Sequence, residues 1–418
     1  MCTEWQRFLD SFSRLGKRAV GLERIRALLD ALGSVQERLR FIHVTGTNGK
    51  GSICEMLSEV FIRSGCKTGL FTSPYIIEYN DRIRINGENI PDDELERLMP
   101  KIKSAVKKSG YENDFSQFEI TQALAFCYFA EQECDVVILE AGLGGLLDST
   151  NVIDNNICSV IGSVALDHMA VLGDSLEEIA FQKAGIIKSG CPCVLSPGND
   201  PKVIEVFKKA AEEKGSRLYI PDMRRVKMTG EGNEFYFDGF EEYKGEYRPK
   251  MTGTHQVRNA LSVIYACSIA GVSASAVREG IERAFIPGRT QILSGEPLII
   301  LDGGHNPDAG RALSEVLRSH GGGFTAVIGM SGDKNIGEYL SVIAPWVERV
   351  ICVDDFSERA LDREKLCELV MQTGKKAEVC GSVDEALDIV RAAGKAVICG
   401  SLFLVSDVLK KVDTTGIA

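Results

Sequence analysis

No apolar stretch in the 418 residues is long enough to span a bilayer, which argues against an integral membrane protein. Met1 to Leu15 is polar and charged throughout and lacks the apolar core of a signal peptide. There is no basic run, and the formal net charge is −11, so a nucleic-acid backbone is a poor partner. C-x-x-C is missing as well; the nearest cysteines, Cys191 and Cys193, flank a single residue. The 13 cysteines are odd in number and scattered, and most, such as Cys127 and Cys352, fall in apolar segments as buried free thiols do. A reducing cytoplasm is therefore the expected compartment. N-K-x-D, the guanine-reading motif, is absent too, which speaks against a nucleotide-dependent switch.

What is present describes a globular protein: 44% hydrophobic and 26% charged residues. The length exceeds one ordinary core, so two domains are expected. Short continuous apolar runs alternate with helical periodicity, the pattern of mostly parallel sheets covered by helices. The pattern restarts after Ile286-Pro287-Gly288-Arg289, which places the boundary between 1–286 and 287–418. Arg217 to Tyr247 is polar and rich in Gly and Tyr, and suggests hairpins inserted at the sheet edge.

The most informative stretch is Arg40 to Ser52, R-F-I-H-V-T-G-T-N-G-K-G-S. Phe41, Ile42 and Val44 predict a buried strand; Gly46, Gly49 and Gly51 break regular structure. Ile53, Leu57, Val60 and Phe61 then fall at helical spacing. A strand, a glycine loop and a helix N-terminus together suit a phosphate group. Lys50 adds a point charge and Ser52 a hydroxyl for Mg²⁺, although the spacing is not that of the standard P-loop.

Ligands of parallel α/β sheets sit beyond the carboxyl ends of strands. Ser52 and Ser73 follow the first two strands, Glu140 ends a third, and Asp167-His168 close a fourth. Hydroxyl and carboxylate oxygens suit Mg²⁺ completed by substrate phosphates and water, and His168 is the less usual ligand. In the second half, Asp302-Gly303-Gly304-His305-Asn306-Pro307 follows a strand and turns polar groups toward the same kind of edge.

These segments form a recognisable set. H-V-T-G-T-N-G-K-G-S, F-T-S-P-Y, D-R-I-R-I-N-G, L-E-A-G-L-G-G-L-L-D-S-T-N, L-D-H-M-A-V-L-G, K-A-G-I-I-K, P-G-R and D-G-G-H-N-P occur in order along essentially the whole chain. The chain resembles the folylpolyglutamate synthase/dihydrofolate synthase family of the Mur-ligase group. The resemblance implies an ATP-binding central domain in 1–286 and a smaller Rossmann-like glutamate-ligase domain in 287–418, with the active site between them. It implies that Gly46, Thr47, Asn48, Gly49, Lys50, Gly51 and Ser52 hold ATP phosphates. Ser52, Ser73, Glu140 and His168 would serve two Mg²⁺ sites, and Lys183 matches a lysine that is carbamylated in the family. Asn259, Arg289 and Asp302 fall where the nucleotide binds; Arg289, His305 and Ser401 match positions tied to glutamate binding and turnover; Asp148 lies in a stretch linked to the pterin. The family's pattern is broken at Tyr75 (often His), Leu146 (usually Arg), Gln182 and Gln291 (both commonly Glu), which bears on substrate preference.

The activity implied is ligation through an acyl phosphate. ATP phosphorylates the carboxylate of dihydropteroate or of a folate's terminal glutamate, the amine of L-glutamate attacks, and phosphate leaves. The expected partners are these small molecules alone, with a monomeric enzyme. A Mur-type ligase acting on a nucleotide-sugar precursor is the alternative, and the F-T-S-P and L-D-S-T-N stretches argue against it.

Overall fold

The computed structural model describes residues 3–13, 21–230, 233–332 and 334–415. Of the Met1–Leu15 stretch, Met1, Cys2, Arg14 and Leu15 lie outside the described residues. The rest of it contains the helix Glu4–Asp10, which buries Trp5 and Leu9. No helix among the described residues is long and apolar enough to cross a membrane.

Eight strands form the first sheet: β1 (Phe41–Thr45), β2 (Thr68–Phe71), β3 (Ile83–Ile85), β4 (Glu88–Asn89), β5 (Val136–Glu140), β6 (Asn156–Ile161), β7 (Cys193–Leu195) and β8 (Leu218–Tyr219). Their order is β4-β3-β2-β5-β1-β6-β7-β8. From β2 across to β8 neighbouring strands are parallel; β3 and β4 add an antiparallel edge. Strand β1 lies in the middle, which is why its run is buried on both faces: Phe41 enters one core, Ile42 and Val44 the other.

Residues 217–247 form the expected hairpins, but not at the edge of the main sheet. Only β8 joins the main sheet, in parallel. Strands β9 (Val226–Met228), β10 (Phe235–Phe237) and β11 (Gly245–Tyr247) make a separate antiparallel sheet. Phe235, Phe237, Tyr243 and Tyr247 bury their rings in the core that also holds the helix Thr254–Ala270. The stretch expected at the sheet edge thus contributes its aromatic rings to a packed layer.

The second sheet comprises β12 (Gln291–Gly295), β13 (Leu298–Asp302), β14 (Phe324–Ile328), β15 (Val347–Cys352), β16 (Lys376–Val379) and β17 (Lys395–Cys399). It is ordered β12-β13-β17-β14-β15-β16, all parallel except β12. Every strand of the eight-stranded and three-stranded sheets precedes residue 286, and every strand of the six-stranded sheet follows it. The two parallel sheets carry separate cores, and Ile76 is a partly buried side chain that packs against one core of each. All described cysteines are free thiols; Cys66 is the half-exposed one and the others are buried.

Candidate active site

Where β1 ends, the chain turns sharply. Gly49 sits in the left-handed region at φ 85°, and a Cβ there would lie 2.6 Å from Asn259 Oδ1. A side chain would be strained and would also push away the helix Thr254–Ala270. Gly49 is the N-cap of the helix Lys50–Arg63 and makes no side-chain cap bond, so first-turn N–H groups remain available to an anion. Lys50 Nζ donates to the Gly46 and Thr47 carbonyls at 3.0 and 3.4 Å. The loop is held against the segment after β6: Thr47 N–H donates to Ser163 O at 2.7 Å, and Thr47 Oγ1 donates to Ala165 O at 3.0 Å. Gln256 Nε2 donates to Ser52 Oγ at 3.2 Å, and Asn259 Nδ2 to Gln256 Oε1 at 3.0 Å, so Asn259 reaches the loop through its helical neighbour.

Three ionisable groups, two of them buried, surround this loop. Glu140, at the end of β5, accepts the Ser73 N–H at 3.1 Å. Burial pushes its carboxyl up, against the opposing pull of Lys50, the Ser73 amide and Arg289. Lys183 ends the helix Leu176–Ala184 with 3% of its surface exposed. Burial and the charge of Lys50 push its amine down to about 7. Asp167 lies beside His168 and is held well below the usual carboxylate range by His305, His168 and Lys334, which outweigh its burial.

From the other side come the loops after β13 and the segment entering β12. Asp302 accepts from Thr290 N and Oγ1 at 3.0 and 3.1 Å and from Gly304 N at 2.8 Å. Its carboxylate thereby ties the P-G-R turn to the D-G-G-H-N-P turn, bringing Arg289 and His305 to the opening. Asn306 caps the helix Pro307–Ser319 by accepting the Ala309 N–H at 2.9 Å.

The result is one cleft of about 490 Å³ between the two sheets' carboxyl edges. Gly46 to Ser52, Ser73, Glu140, His168, Lys183, Asn259, Arg289, Asp302 and His305 all line it. Ser401 does not. It is buried after β17, its hydroxyl accepting the Phe403 N–H at 3.2 Å at the start of the helix Leu402–Thr415. Asp148 is also outside the lining. Its buried carboxylate accepts from Leu143 N at 2.8 Å and from Thr150 N and Oγ1 at 3.0 and 2.5 Å, holding the second glycine turn. His43 supports the same turn from inside β1, with Nε2 at 2.9 Å from Thr150 Oγ1.

Sequence reasoning passed over several groups. Gln256 was accessible from spacing, being one turn before Asn259. His255 lines the cleft from the same turn. Lys334, in a polar loop, carried no signal; its partner Asp167 becomes visible only once the domains are placed. Three of the four departures have local accounts; nothing in the structure explains Gln182. Gln291 Oε1 accepts the Gly288 N–H at 2.8 Å and so shapes the P-G-R turn. Arg82 lies 5.3 Å from the Tyr75 ring centroid. Leu146 donates its N–H to Gln182 O at 2.6 Å and packs so closely on Gly185 that a Cβ there would lie 2.4 Å from its Cα.

The oxygens around Glu140 fit Mg²⁺: Ser52 and Ser73 bring hydroxyls and Glu140 a buried carboxylate to one cleft. No group of three or more His, Cys, Asp or Glu among the described residues makes a complete cage. Such a site requires phosphates and water to finish it, as Mg²⁺ favours.

Comparison with known proteins follows the same outline. Residues 44–267 match the Mur ligase middle domain and residues 288–402 the Mur ligase glutamate ligase domain. The dihydrofolate synthase/folylpolyglutamate synthase of Bacillus subtilis is 34% identical over 411 residues, 94% of each chain. The folylpolyglutamate synthase of Lacticaseibacillus casei is 35% identical over 348 residues, 80% of each. Among solved structures, Escherichia coli FolC in complex with DHPP and ADP superposes with a TM-score of 0.88 at 30% identity, covering 99% of this chain and 98% of that one. Mycobacterium tuberculosis folylpolyglutamate synthase complexed with ADP and AMPPCP also gives 0.88, at 28% identity and 97% coverage of both. Two ligase domains in sequence, aligned relatives and a matching fold over nearly the full length agree: the chain belongs to the folylpolyglutamate synthase/dihydrofolate synthase family of ATP-dependent Mur-type ligases.

Proposed function

We propose that the cleft joins L-glutamate to a folate, to dihydropteroate, or to both, at the expense of ATP. Residues 1–286 serve as the ATP-binding part and 287–418 as the glutamate-ligase part. The observation that carries this reading is the convergence of a phosphate loop, a buried Glu140 and Lys183, and Arg289 and His305 from the opposite sheet in one opening. The glycine loop and Lys50 hold the phosphates of ATP. Transfer of the terminal phosphoryl group to the acceptor carboxylate makes an acyl phosphate. The amine of glutamate attacks the acyl carbon, the amide bond forms, and inorganic phosphate leaves with the carbon–oxygen bond electrons. Arg289 suits the carboxylates of glutamate, and His305 at the mouth suits the amine as it loses a proton. Ser52, Ser73, Glu140 and His168 would hold Mg²⁺, whose charge would offset that on the transferred group.

Lys183 is proposed to act as a carbamate. A neutral amine reacts with CO₂, and the amine's lowering to about 7 leaves much of it neutral at physiological pH. The carbamate then sets a negative charge near Lys50. An aromatic acceptor is supported by the apolar surface beside the cleft. Leu147, Leu166, Met169, Val171 and Phe181 are exposed on the turns and helices that also carry Leu143, His168 and Lys183. Flat pteridine and aminobenzoyl rings suit that surface better than a nucleotide-sugar does. The free thiols of the described cysteines support a reducing cytoplasm, and a monomer is the proposed state.

The test is ADP release. It should require both L-glutamate and a folate or dihydropteroate, and comparing tetrahydrofolate with dihydropteroate as acceptors separates the two activities. ADP release indifferent to glutamate would reject the reading.

A further inference from the structure

Asp167 is the meeting point of both domains. It sits in the loop after β6, where it accepts the His168 N–H, yet three further partners come from the second sheet. Lys334 Nζ, from the loop after β14, donates to Asp167 Oδ1 at 3.1 Å. Asn306 Nδ2, from the loop after β13, donates to Oδ2 at 3.3 Å, and His305 Nε2 lies 3.7 Å from the same oxygen. The side chains of Lys334 and Asp167 are 11% and 12% exposed, so this pair is largely withdrawn from water. The contact continues into the phosphate loop. Asn306 Nδ2 also donates to Asn48 Oδ1 at 3.0 Å, and Asn48 Nδ2 donates to Asp308 Oδ2 at 2.8 Å. Both polar atoms of the Asn48 side chain are thus engaged by the second domain rather than turned to a phosphate.

We infer that Asn48, Asp167, Asn306 and Lys334 form a docking lock that seats the second domain on the phosphate loop, and that Asp167 and Lys334 are positioning residues for ligation. The inference rests on the proposed ligase reading and deepens it. Arg289 and His305 reach the cleft only from the second sheet. The lock holds the loop that carries His305 by its neighbour Asn306, and it pins that loop to the same backbone that grips the nucleotide. Lys334 does not line the cleft, so its effect must pass through Asp167. Misplacing reacting groups by about 1 Å costs up to about a hundredfold in rate.

The experiment uses the full chain and two variants. Lys334→Met removes the ion pair while keeping the side chain's length. Asn306→Asp keeps the oxygen that caps its helix but replaces the shared amide by an anion beside Asp167 and Asp308. Each should lower kcat for glutamate-dependent ADP release by about tenfold to a hundredfold. ADP affinity by calorimetry should stay within about threefold for Lys334→Met, because the phosphate loop itself is intact. Small-angle scattering with ADP bound should show a larger radius of gyration than wild type, and Lys334→Arg should restore both rate and radius. Wild-type kcat in Lys334→Met would overturn the lock. So would a rate loss with an unchanged radius that arginine fails to rescue. The scattering and calorimetry need no turnover: a wild type that releases no ADP in response to glutamate rejects the ligase reading, and an unchanged radius in both variants rejects the lock.

Discussion

Lys50 spends its ammonium protons on two carbonyls of its own loop and closes no core. Lys50→Ala should therefore leave unfolding free energy within roughly 0.5 kcal/mol of wild type. Turnover should fall by about a hundredfold or more, as for a lost donor to a developing charge. Unchanged circular dichroism with near-normal ligation would remove the phosphate assignment. Lys183 is the opposite case, an amine whose burial lowers it to about 7 from an unfolded value of about 10.4. Between those values the unfolded chain carries the proton and the folded chain does not. The stability of enzyme kept free of CO₂ must then rise with pH across that window and flatten below about 7. Urea titrations at intervals across it should show a steeper gain for wild type than for Lys183→Met; equal slopes would mean a solvated lysine. Lys183→Ala should lose most activity, and Lys183→Glu, which returns a carboxylate, should recover part of it.

At the scale of elements, the phosphate loop depends on what stands behind it. The helix Ala274–Arg283 approaches the helix Lys50–Arg63 so closely that a Cβ on Gly280 would meet the backbone of Val60 at 2.5 Å. Gly280→Ala should destabilise by about 1–3 kcal/mol through overpacking, read as a lowered urea midpoint. Since the displaced helix carries Lys50, ADP affinity should weaken too; normal stability and binding would show that the two helices yield freely. The elements legible in the sequence were those that bury both faces. Strands β1, β5, β6, β13, β14 and β17 are dominated by apolar residues, and the polar residues that end β5 and β13, Glu140 and Asp302, lie at the site edge. Those that escaped notice are edge strands. β12 is half exposed, β16 reads Lys-Ala-Glu-Val, and neither shows a clean period. Ser401 lies outside the cleft lining for a related reason: it follows a strand end, but which way a turn faces depends on the helix it feeds. Asp302 lines the cleft and Asp148 does not, and the oxygens of both hold turns together.

The whole molecule is two packed bodies joined in part by polar pairs. Their cores are separate, Ile76 touches both, and polar pairs such as Lys334 with Asp167 and Thr254 with Glu315 cross between them. Independent cores joined by such a surface should not melt as one unit. Calorimetry should resolve two overlapping transitions, and ADP at a hundred times its dissociation constant should stabilise the first body by about 2.7 kcal/mol. A single transition with equal calorimetric and van't Hoff enthalpies would mean that the seam is far stronger than its chemistry suggests. The placement of every reactive loop at the strands' carboxyl ends also has a practical side. Cys66, the half-exposed thiol, precedes β2 and so lies at the amino-terminal border of that sheet. The four residues of β2 put roughly 13 Å of strand between it and Ser73's end of the sheet. A maleimide dye or a spin label should find Cys66 first among the described cysteines and report from the rear of the protein, leaving catalysis undisturbed while it is watched.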